Sequence, residues 1–82
     1  MKNNVTFREL RRLLLDLGFQ ERKEANAIVF DHGSSDILFV FRRYRLNDLV
    51  ASYNLLDARM MLDSRGLMDA ETFEEQFKKT PA

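Results

Sequence analysis

The 82-residue sequence contains no cysteine and no tryptophan, one histidine, one proline and three glycines. Without cysteine there is no disulfide to brace a small core, no thiol nucleophile and no thiolate metal ligand. With His32 as the only imidazole, a zinc site would need carboxylates for most of its ligands, so neither a metal nor another cofactor is expected. No apolar run approaches the ~20 residues that span a bilayer. The start, Met1-Lys2-Asn3-Asn4-Val5-Thr6, leads into Phe7-Arg8-Glu9-Leu10-Arg11-Arg12, which lacks the apolar stretch of a secretory signal. The expected location is therefore the cytoplasm, a reducing compartment that the lack of disulfides fits. Net charge is also absent, with 13 basic residues against 13 acidic. The balance conceals an asymmetry: residues 1–45 hold nine Lys or Arg against six Asp or Glu, and residues 46–82 hold four against seven. A locally basic front half can meet a polyanion even when the whole chain is neutral.

What is present reads as one small domain, 1–82, with a core at about 6–66 and a helical extension at 67–82. Thr6-Phe7-Arg8-Glu9 has the form of a capping box. Leu10, Leu13, Leu14 and Leu17 then recur on one helical face, and Gly18 can supply the left-handed residue that ends the helix. A helix over 7–17 follows. Residues 19–22 make a short strand and 27–31 a better one. His32-Gly33-Ser34-Ser35 has turn chemistry, with Gly33 free to take positive φ. Asp36 to Arg42 is the most apolar strand, nearly continuous, and is expected in the middle of the sheet with little solvent on either face. After a loop over 43–51, Ser52 can cap a helix over 53–65 closed by Gly66. Asp69 can cap a last helix over 70–78, with Pro81 barring further helix. Leu55, Leu56, Met60, Leu62, Phe73 and Phe77 are expected as the core side of these two helices. The order predicts an α+β fold, a three-stranded antiparallel sheet packed against helices.

Two basic groups are candidates for phosphate contact. Arg8, Arg11 and Arg12 share one side of the first helix, with Leu15 continuing it as a surface for a protein partner; a solvated helix face is the competing explanation. Arg42, Arg43 and Arg45 enclose Tyr44, and Lys23 can fall near the same surface. Cations with an interleaved aromatic are a recurrent RNA-binding combination, against the alternative of a polar loop closing a strand. His32 can act as acid or base near neutral pH or serve as a turn residue bonded to backbone.

The helix ending Leu13-Leu14-Leu15-Asp16-Leu17-Gly18-Phe19, the three strands and the following helix together resemble the HicA (YcfA-like) toxins of bacterial toxin–antitoxin pairs over about 6–66. The resemblance implies a fold like a double-stranded-RNA-binding domain, metal-independent cleavage of mRNA, and mRNA and a cognate antitoxin as partners. The family signature is approximately G-S-H, an apolar-x-aromatic strand, and often a second His. Here Ala25-Asn26-Ala27 fills the G-S-H slot, Ile28-Val29-Phe30 the strand and His32 the second His. Ala27 thus stands where the resemblance implies the catalytic imidazole. Cleavage through the 2′-OH needs a group to take one proton and a group to give one, and loss of one such group costs on the order of 10²–10⁴ in rate. Either the chain lost the residue naturally, or it carries a deliberate His→Ala replacement that makes a toxin tolerable to its host; the intact surroundings of position 27 favour the second. The resemblance therefore implies a HicA-like toxin that is catalytically dead in this chain. The alternatives are an RNA-binding or antitoxin-binding module that never cleaved RNA, and a structural protein that docks a partner through a helix.

Overall fold

The computed structural model describes residues 4–78. Six elements follow in order: α1 (Phe7–Asp16), β1 (Gln20–Lys23), β2 (Ala27–His32), β3 (Ile37–Arg42), α2 (Ser52–Ser64) and α3 (Ala70–Gln76). The protein is α+β, with one antiparallel sheet in the order β1-β2-β3. Pro81, expected to bar further helix, lies outside the described residues.

Local chemistry sets the start and end of α1. The Thr6 hydroxyl accepts from the Glu9 amide at 3.3 Å and the Glu9 carboxylate accepts from the Thr6 amide at 3.0 Å, the reciprocal pair of a capping box. The next amides are taken by the later loop: Phe7 donates to the Asp48 carbonyl and Arg8 to the Leu46 carbonyl, each at 2.9 Å. At the other end Gly18 takes φ +98°, its amide donates to Leu15 and that of Phe19 to Leu14, both at 3.0 Å. This is a Schellman closure, and the two residues it brings together, Phe19 and Leu14, both enter the core.

One cluster forms that core. Phe7, Leu10, Leu13 and Leu14 of α1, Ile28 and Phe30 of β2, Ile37, Phe39 and Phe41 of β3, and Leu55, Ala58 and Leu62 of α2 meet in it, with Phe73 of α3. Phe7, Phe30 and Phe41 make a mutual edge-to-face set, with centroids 5.9 to 6.2 Å apart. The quadrupoles of the rings favour such contacts.

Several expectations from the sequence are corrected. β3 is an edge strand, and the middle of the sheet is β2, because two short hairpin connections leave the second strand between its neighbours. β3 alternates strictly: Ile37, Phe39 and Phe41 are buried, whereas Leu38 and Val40 are 58% and 60% exposed. Its apolar run hid the alternation because its outward residues are apolar too. Positive φ in the β2–β3 turn falls on Asp36 (+56°), not Gly33, because the turn is a single 3-10 turn over Gly33–Ser35 closed by a left-handed residue. Ala51, not Ser52, is the N-cap of α2, and no side chain caps that end. Leu56 and Met60 point to solvent, since they lie on the helix side away from Leu55, Ala58 and Leu62. Leu15 is half-buried and packs against the core, so it is not the exposed leucine expected beside the arginines. Asp69 caps α3 as expected, accepting from the Thr72 amide at 2.7 Å.

Candidate nucleic-acid interface

Strand register decides what surrounds Ala27. Side chains alternate across a strand, and directly paired residues share a face. Ala27 pairs with Arg42, Val29 with Val40 and Asp31 with Leu38, so these six lie on the face away from the helices. Arg22, paired with Val29, joins them. Ala27 is half-buried there, opposite an exposed Arg42 and at the start of β2. It also ends the β1–β2 turn, in which the Glu24 amide donates to the Ala27 carbonyl at 2.8 Å.

Basic residues gather at this end of the sheet. The Arg43 guanidinium donates to the Glu24 carbonyl at 2.7 Å, which ties the residue after β3 to the β1–β2 turn. Arg22 pairs with the Glu24 carboxylate at 2.6 Å. Lys23 is exposed, one residue before the turn, and makes no ion pair among the described residues. Arg42 and Arg22 therefore share the face of Ala27 with one carboxylate, Glu24, and Arg43 is anchored beside them, whereas Lys23, paired with core residue Ile28, starts on the opposite face. Cations so placed can meet consecutive phosphates, and the open sheet face beside them is free of helices.

Other candidates go elsewhere. Tyr44 is 5% exposed: its ring stacks on Phe7 at 5.3 Å, and its hydroxyl accepts from the Ala51 amide at 3.0 Å and the Asn54 side chain at 2.8 Å. The ring is not available to stack a base, because both its apolar body and its polar tip are used internally. Arg42 lies over that ring, 4.0 Å from the centroid, while its exposed edge remains open. Arg11 donates through Nε to both Glu21 oxygens, at 3.0 and 3.1 Å, and so is committed to joining α1 to β1. Arg8 of α1 reaches the Asn47 side chain at 3.5 Å; the backbone amide of Arg45 donates to Asp48 at 2.8 Å, and the Arg45 side chain is exposed in the loop that covers the start of α1, away from Ala27 along the chain. Arg12 is exposed and makes no hydrogen bond or ion pair among the described residues.

His32 leaves β2 on the opposite face from Ala27, five residues along the strand, a separation of about 17 Å at ~3.3 Å per residue. Its Nε2 lies 3.2 Å from the Leu17 carbonyl, which can only accept, so this nitrogen carries the proton. Its ring meets Phe19 at 5.0 Å, and its Nδ1 is buried without a hydrogen-bond partner among the described residues. A pocket of about 320 Å³ beside it is lined by Gly18, Gln20, Asp31, His32, Gly33 and Ser34. The two positions that the family signature would align cannot meet one phosphodiester. Reading the sequence without register missed this separation; counting residues from the Glu24–Ala27 turn shows it.

No protein-family model, no curated protein and no solved structure matches this chain.

Proposed function

We propose that this protein is an RNA-binding domain of the HicA toxin kind, with a fold like a double-stranded-RNA-binding domain, that holds mRNA without cleaving it because Ala27 occupies the position of the catalytic imidazole. One observation carries the reading: a half-buried alanine on the helix-free face of the sheet, opposite Arg42, with Arg22 on the same face and Arg43 anchored to the adjoining turn. The site supplies cations for phosphate but no imidazole beside them. His32 does not fill that role, since its ring is tied to Leu17 on the other face.

The test pairs binding with gain of function. The unmodified protein is expected to bind single-stranded RNA with an affinity that falls with salt, and to leave the RNA intact. Ala27→His is expected to cleave RNA in the presence of a chelator and to arrest growth when expressed in bacteria. RNA affinity that is absent or indifferent to salt, or an Ala27→His variant that neither cleaves nor slows growth, overturns the reading.

A second reading, an antitoxin-binding module, is favoured by the exposed Tyr53, Leu56 and Met60 at i, i+3 and i+7 on α2. It is tested by co-expression with the small protein of a neighbouring reading frame; a stable complex that Met60→Glu dissolves supports it.

A further inference from the structure

The two edges of the sheet differ in kind. β1, Gln20–Lys23, carries charges along its length, the usual defence of an exposed edge. β3, Ile37–Arg42, has no charge before Arg42, no proline, no glycine, and an unbroken register with β2. Hydrogen bonding shows which of its groups are open. The Glu24–Ala27 bond makes that pair a bonded one, and bonded pairs alternate along an antiparallel ladder. Residues 27, 29 and 31 of β2 therefore turn their amides toward β1, and 28, 30 and 32 turn theirs toward Phe41, Phe39 and Ile37. The N–H and C=O groups of Leu38 and Val40 are left facing outward, and among the described residues they have no partner on that side.

We propose that this edge is an interface between two copies of the chain: their β3 strands pair antiparallel about a twofold axis at Phe39 and fuse two three-stranded sheets into one of six. The inference does not rest on the RNA reading, although Arg42 enters both. Outward-facing groups must meet outward-facing groups, which restricts the symmetric registers to steps of two residues. Centred on Phe39, Leu38 pairs with Val40 of the second copy, and Asp36, the left-handed residue just before β3, comes beside Arg42 of the second copy at both ends. Both of these charged residues are exposed, and Asp36 makes no ion pair among the described residues. One step either way sets Leu38 against Arg42 or Asp36 against Val40. Only the Phe39 register matches apolar with apolar and opposite charge with opposite charge, as isologous pairing requires. A chain with no net charge offers little long-range repulsion to its own copy.

Sedimentation of the full chain over a dilution series is expected to show a dimer of the 9.7 kDa protein, and Val40→Lys to abolish it with the far-UV spectrum unchanged. Register is read by cross-linking, which the cysteine-free sequence makes clean. In the proposed pairing, position 38 lies about 5.5 Å from position 40 of the second copy, within disulfide reach, whereas like positions lie about 8 Å apart, beyond it. A mixture of Leu38→Cys and Val40→Cys chains is expected to oxidise to a covalent dimer that neither forms alone. A second pair of variants reads the ends: Arg42→Glu weakens the dimer, and adding Asp36→Asn, which tolerates the left-handed backbone, restores part of it. A monomer at every concentration, a dimer indifferent to Val40→Lys, or either cysteine variant cross-linking alone as well as the mixture overturns the proposal.

Discussion

Phe7 and Tyr44 lie ring against ring, 5.3 Å between centroids and with planes 20° apart. This contact joins the first turn of α1 to the chain leaving β3, and the Tyr44 hydroxyl extends the joint to Ala51 and Asn54 at the start of α2. The aromatic residue within the basic cluster is thus a hinge pin of the fold, which separates its role from that of the arginines around it.

Tyr44→Phe keeps the ring and removes the hydroxyl. The Ala51 amide and the Asn54 side chain lose their acceptor, and the expected cost is about 1–3 kcal/mol. Urea unfolding should show a lower midpoint with an unchanged slope. RNA affinity of the folded variant should match that of the unmodified protein; a loss of affinity without a loss of stability would contradict the buried role.

His32→Ala is expected to lower stability by roughly 1–2 kcal/mol, through the Leu17 hydrogen bond and part of the ring's burial against Phe19. In an Ala27→His background the same change should leave cleavage intact, measured on folded protein at a temperature well below the transition. A large drop in cleavage would return His32 to the site.

Arginines should divide by their partners. Removing Arg42 and Arg43 together is expected to weaken RNA binding and to flatten its log–log salt dependence by about 0.7 for each lost contact to a single strand. Arg11→Ala should leave binding unchanged and cost at most about 1 kcal/mol, since its partner Glu21 is mostly shielded while Arg11 itself is half-exposed. Titrations at several salt concentrations distinguish the two sets.

The Thr72 amide holds the Asp69 carboxyl below the usual aspartate value of 3.8. A depressed folded-state value means that the unfolded chain binds the proton more tightly, so this contribution is full above about pH 4 and fades as pH falls through the folded value. Unfolding midpoints should decline in that acid range, and Asp69→Asn, which can still cap α3, should lose that part of the decline. An identical acid profile in the two proteins would show that the cap does not titrate with folding.

Much of the fold was legible in local chemistry. Thr6 and Glu9 announce the start of α1, Gly18 its end, Gly66 the end of α2 and Asp69 the start of α3, because each acts on backbone groups within a few residues of itself. The site was less legible. Arg11 and Arg43 look alike along the chain, yet one meets a carboxylate on β1 and the other a carbonyl in the β1–β2 turn. Tyr44 sits among three arginines in the sequence and faces Phe7 in space.

Capping groups and apolar spacing act over one turn or one strand, so the order of residues alone settles where the helices and strands lie and that Ala27 opens the second strand. Which strand stands at the edge, which side of β2 each residue faces, and whether a cation is free or paired depend on contacts between segments far apart along the chain. Those were decided only when the helices covered one face of the sheet, leaving Ala27, Arg42, Leu38 and Val40 together on the other.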